Sequence, residues 1–152
     1  PVKRILAASL LAISSLSFAQ ASEEKVFIGE AGANEVMYMI IPSIKINKTP
    51  KGLSYINGNI EITRRDTGKS NLIGIAVTLT TCAKGRGMTI LTDLSAVEAG
   101  APQDKAMRRF YWEKQGTSNA DEVVNLFCSI AEEMVNKTNE APKSKPKSET
   151  YL

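Results

Sequence analysis

Between residues 54 and 63 apolar and polar residues alternate without a break. Ile56, Ile60 and Ile62 share one face with Gly58, while Tyr55, Asn57, Asn59, Glu61 and Thr63 take the other. A period of two with one apolar face predicts a half-solvated antiparallel strand. The polar run RRDTGKSN follows, with Asp66 to Gly68 supplying turn chemistry, and predicts a hairpin connection. Residues 72–82 (LIGIAVTLTTC) then read as the strongest strand of the chain, with Ile73, Ile75, Val77 and Leu79 forming a bulky face. Gly74, Ala76, Thr78, Thr80 and Cys82 form a small one.

The same reading places shorter strands on either side. KVFIG at 25–29 predicts a short first strand. EVMYMII at 35–41 is apolar on both alternating faces, which suggests a strand buried on both sides and closed by Pro42. IKINKTPKGL is turn-rich. Beyond the turn AKGRG, MTILTD at 88–93 is a strand, a loop runs through Gly100 and Pro102, and AMRRFYW at 106–112 is a further strand.

Residues 119–136 change period. Ser118 is placed to cap, Asp121 and Glu122 suit a positive helix end, and Val123, Phe127, Ile130 and Met134 recur at spacings of three and four. These features predict one amphipathic helix. From Lys137 onward the chain has prolines and lysines but almost no apolar residues, the composition of a disordered tail. Strands followed by a single terminal helix imply an α+β domain: an antiparallel sheet of about five or six strands with the C-terminal helix packed on one face.

One position sits awkwardly in this scheme. Strict alternation puts Cys82 on the small face of its strand, whereas the bulky face has the character of a core. Either the helix packs against the small face, where Gly74 and Ala76 permit close approach, or the strand ends or bulges before Cys82. The first arrangement is the one expected.

The amino terminus, PVKRILAASLLAISSLSFAQA, changes how the rest is read. Lys3 and Arg4 precede an apolar run from Ile5 to Phe18, and Ala19-Gln20-Ala21 forms an A-x-A cleavage site. At about 14 residues the run is shorter than the roughly 20 a bilayer requires. Residues 1–21 are therefore expected to be a cleaved secretory signal, residues 22–136 a single domain, and 137–152 the basic tail. No transmembrane segment is expected after cleavage, and the lack of a cysteine near the cleavage point argues against a lipid anchor. The 152-residue chain carries 19 Lys+Arg and 16 Asp+Glu. Without Lys3 and Arg4 the balance is 17 bases against 16 acids, a net charge of +1. A nucleic-acid partner is not expected from so small an excess.

Export also bears on the two cysteines, Cys82 and Cys128. Two cysteines in an oxidising compartment most often pair with each other, with free thiols or a shared metal as the alternatives. The chain-entropy treatment gives a bridge of this span about 4 kcal/mol of stabilisation.

Catalytic chemistry finds little support. The chain has no histidine, which removes Ser-His-Asp and Cys-His sites and histidine-ligated zinc. TRRDTGKS at 63–70 ends like a phosphate-binding loop but has Thr63 in place of the first glycine and no helix expected after it. Ser22-Glu23-Glu24-Lys25 has Ser-Lys spacing without a companion motif. The carboxylates Glu61, Asp66, Asp93, Glu98, Asp104 and Glu113 show no pairing in their spacing. No catalytic residue, metal or cofactor is expected.

Arg108, Arg109, Tyr111 and Trp112 cluster positive charge with aromatic rings, the residue types that dominate protein-interface hot spots. They form the candidate binding patch. Its alternative is an ordinary strand with Phe110 and Trp112 inward and Arg109 and Tyr111 outward.

The order of these features resembles that of the protein E-type surface adhesins of Gram-negative bacteria. The resemblance spans roughly residues 34–136 and rests on Ser43-Ile44-Lys45, Cys82, Trp112 and Cys128 within its helix. It implies a sheet with a C-terminal helix, one disulfide from the end of a strand to that helix, and non-enzymatic binding. The implied partners are protein ligands, host extracellular-matrix proteins among them. The resulting expectation is an exported adhesin-like protein of the periplasm or cell surface. The alternative is a periplasmic accessory or inhibitor protein that binds another bacterial protein.

Overall fold

The computed structural model describes residues 24–140; the predicted signal segment and the tail beyond Glu140 lie outside them. Six strands form one antiparallel meander: β1 (Lys25–Gly32), β2 (Glu35–Lys48), β3 (Ser54–Arg64), β4 (Ser70–Thr78), β5 (Arg86–Asp93) and β6 (Met107–Glu113). Each strand pairs with its sequence neighbour. A short helix, α1 (Leu79–Lys84), separates β4 from β5. Two more, α2 (Leu94–Glu98) and α3 (Gln103–Ala106), separate β5 from β6. The long helix α4 (Asn119–Glu140) packs on one face of the curled sheet, the α+β arrangement expected from the element order.

Alternation sets the registers. Ile60 sits opposite Ile73 and Ile56 opposite Val77, so the apolar faces of β3 and β4 coincide. Met39 joins them across from Ile60. The core also includes Trp112, Val123, Val124 and Phe127. Gly58 lies in this layer because the ring of Phe127 presses onto it: a β-carbon there would stand 2.7 Å from Phe127 Cε1.

Pro42 does not end β2. The register instead moves from Ile40↔Asn59 to Lys45↔Asn57, so β2 bulges around the proline and resumes. The Ser43 side chain bridges the gap: its Oγ donates to the Ile40 carbonyl at 2.6 Å and accepts the Asn59 N–H at 2.8 Å. A side-chain hydroxyl thus replaces ladder bonds that the interrupted backbone cannot make.

The strand containing Cys82 also departs from expectation. β4 stops at Thr78, whose Oγ1 accepts the Thr81 N–H at 3.1 Å and so caps α1. Helix α1 ends at Gly85 in the left-handed conformation, φ 70°. Cys82 is therefore a helical residue, freed from the strand's alternation. The long helix packs against the bulky face, with Ile75 and Val77 in its core. Leu94 of α2, and not α4, approaches Gly74 on the small face.

Two further corrections concern the helices. The stretch expected as a loop contains α2, capped by Asp93 Oδ1 accepting the Ala96 N–H at 3.0 Å, and the single turn α3 behind Pro102. Helix α4 runs through Glu140, past the expected end at residue 136. Its start is a capping box: Ser118 Oγ accepts the Asp121 N–H at 3.1 Å, and Asp121 Oδ2 accepts the Ser118 N–H at 3.3 Å.

Helix α4 covers only part of the sheet. At its start and beyond it, the floor formed by Ile60, Ile62, Ile73 and Leu91 lies under small residues, among them Ala96, Ala101 and Ala120. These alanines leave a cavity of about 450 Å³.

Candidate functional site

Cross-strand register assigns each residue of the proposed patch to a face. On β6, Trp112 and Phe110 point to the helix side, and Tyr111 and Arg109 to the open side, opposite Met88 and Ile90 of β5. Arg108 shares the helix side and lies opposite Leu91, at the edge of the cavity. The structure therefore divides the four candidates. Arg109 and Tyr111 stand together, Arg108 is on the other side of the sheet, and Trp112 is in the core at 1% exposure.

Trp112 has a structural task. Its indole N–H donates to the Asp121 carbonyl at 3.2 Å and to Asn125 Oδ1 at 3.1 Å, while Asn125 Nδ2 donates to the Lys114 carbonyl at 3.0 Å. These bonds dock the start of α4 on β6 and leave no part of the indole available to a partner. The disulfide fixes another point: Cys82 of α1 is bonded to Cys128 of α4, with Cα atoms 5.3 Å apart. Such a bridge is characteristic of an oxidising, extracytoplasmic environment. No helix among the described residues is long and apolar enough to cross a membrane.

The open face has two dissimilar parts. Across β1–β4 an ion-paired cluster ties the strands together beside Phe27, itself 56% exposed. Lys25 Nζ donates to Glu61 Oε1 at 3.1 Å and lies 4.9 Å from the centre of the Tyr38 ring, whose edge meets Phe27. The same Glu61 oxygen accepts from Thr63 at 3.0 Å and from Ser70 at 3.2 Å. Burial pushes the Glu61 carboxyl up, but the hydrogen bonds from Lys25, Thr63 and Ser70 and the lysine charge outweigh it, leaving it below the ordinary glutamate value. This cluster holds β1 to β3 and β4.

Across β5–β6 the surface is different. Tyr111 and Met88, direct cross-strand partners, are 55% and 52% exposed. Beside them Arg109 faces solvent and Ile90 is half-buried. Among the described residues, Arg109 enters no salt bridge and the Tyr111 hydroxyl no hydrogen bond.

Comparison with family models, with curated proteins and with solved structures gives no match. Met88 was missed by sequence reasoning because a methionine after a glycine turn carries no signal; only its register opposite Tyr111 gives it a role. Among the described residues no three of His, Cys, Asp or Glu come together as a metal-binding group.

Proposed function

We propose that this protein is an exported, non-catalytic binding domain whose open β5–β6 face docks a protein ligand. The observation that carries the reading is the Tyr111–Met88 pair, exposed on a strand pair beside Arg109, which enters no salt bridge among the described residues. Aromatic, methionine and arginine side chains are the types enriched at protein interfaces, and a strand pair presents them with little ordering cost. The expected partner surface offers apolar area with a carboxylate to meet Arg109. The resemblance to the adhesins favours extracellular-matrix proteins as that partner and the cell surface as the location.

Binding to a panel of immobilised matrix proteins tests this directly. Met88→Ala/Tyr111→Ala is expected to weaken binding by about tenfold or more, the scale of an interface hot spot, and Arg109→Ala by less. A bound matrix protein that ignores the double substitution would overturn the placement of the site. Protease shaving of intact cells tests the location: cleavage of the protein on whole cells supports an adhesin, and protection until the outer membrane is opened supports the accessory-protein alternative.

A further inference from the structure

The cavity on the helix side borders the core, which supplies part of its floor, and lies apart from the proposed docking face. Its floor is aliphatic, made by Met37, Ile60, Ile62, Ile73, Ile75 and Leu91. Its roof is built from alanines of α2, α4 and the loop before α3. Four polar side chains line it, and they are unequal. Asn119 Nδ2 is committed to the Ala31 carbonyl at 3.1 Å, and Asp93 Oδ1 to the Ala96 N–H at 3.0 Å. Lys105 and Arg108 are exposed, lie at the mouth, and enter no salt bridge among the described residues. An aliphatic floor below two cations, with the single carboxylate of Asp93 capping α2, suits an aliphatic body with a negative head.

Size narrows the class further. A volume of 450 Å³ lies within the usual range of about 300–1,000 Å³ for small-molecule sites. A site toward the small end of that range suits one acyl chain better than a two-chain lipid. We propose that this cavity binds a free, single-chain aliphatic carboxylate, its chain over Ile62, Ile73 and Leu91 and its head between Lys105 and Arg108. The site lies across the sheet from Tyr111 and Met88, so it stands or falls independently of the protein-docking reading.

The experiment is calorimetric titration of the oxidised, delipidated protein with octanoate, decanoate, dodecanoate and tetradecanoate below their micelle concentrations. Each added methylene is expected to tighten binding about fourfold until the cavity is full, after which affinity levels off. Dodecanol is expected to bind about three- to tenfold more weakly than dodecanoate, and Lys105→Ala/Arg108→Ala to erase that difference, as two partly exposed ion pairs would. Ala96→Phe fills the roof and is expected to abolish binding; Ala120→Phe serves if that variant does not fold. Met88→Ala/Tyr111→Ala is expected to leave every affinity unchanged. The proposal is overturned by the absence of saturable binding across the series, by affinities independent of chain length, or by undiminished binding in a folded cavity-filled variant.

Discussion

At one end of the helix side, Phe127 and Val124 cluster with Ile56, Val77 and Trp112, and solvent is almost wholly excluded. At the other end Ile62, Ile73 and Leu91 remain half-buried beneath alanines. The floors are chemically alike, both being strand faces of branched aliphatic residues. The difference lies in what faces them: the middle of a 22-residue helix bringing a phenyl ring to a glycine, against the start of that helix, the short helices and their connection carrying methyl groups. Close packing is thus a property of facing pairs, and the same sheet is a core in one place and a container in the other.

Substitutions in the two halves should behave as opposites. The largest effect is expected from Phe127→Ala, which empties a fully buried ring site and should cost about 3–5 kcal/mol in urea unfolding. Losing the bridge through Cys82→Ala/Cys128→Ala should cost about 2–5 kcal/mol, read as a lower melting temperature; an unchanged melting temperature would mean the bridge does not secure α4. Adding carbon atoms gives the most direct contrast. Gly58→Ala drives a methyl group against Phe127 and should destabilise by about 1–3 kcal/mol. Ala96→Leu adds more atoms in the open half, yet should change stability by less than about 1 kcal/mol, because space is already there. Equal penalties for these two would dissolve the distinction between the halves.

The smallest effect concerns the other side of the sheet. The folded Glu61 carboxyl is held below its ordinary value. Its contribution is therefore fully present above the unfolded glutamate pKa of about 4.3 and is lost as pH falls through the lower folded value. Glu61→Gln should cost under about 1 kcal/mol at neutral pH, given the screening of a partly exposed pair. It should also flatten the acid limb of the stability profile measured by denaturant titration.

How much of this was legible in the chain depended on the range of the forces involved. The hairpin of β3 and β4 could be read because alternation from Ile56 to Ile62 and from Ile73 to Val77 is a local pattern with a local turn between. Helix α4 was equally plain, since the Ser118 cap stands immediately before it and Asp121 and the Val123–Phe127 spacing lie within it. The break at Thr78 was obscured because LTTC continues the alternation of the strand, and only the Thr78 hydroxyl turning back to Thr81 converts it to a helix. The bulge at Pro42 needed Asn59 from another strand before Ser43 could complete it. The candidate patch mixed two faces because four neighbouring residues of a strand necessarily point both ways. The cavity was invisible: an alanine reads as a neutral helix residue, and its role as a roof appears only when its opposite number is known.

The neighbour-by-neighbour pairing of the sheet has a consequence for how such a chain matures. Strands that add in order of synthesis allow the layer to grow by successive short hairpins, without waiting for distant segments to find one another. The covalent lock cannot close until Cys128, in the last helix, has emerged, by which time every strand is already present. With only two cysteines in the chain, oxidation within one molecule has a single product. Maturation thus needs an electron acceptor for those thiols, but no enzyme to reshuffle wrong pairings within the chain.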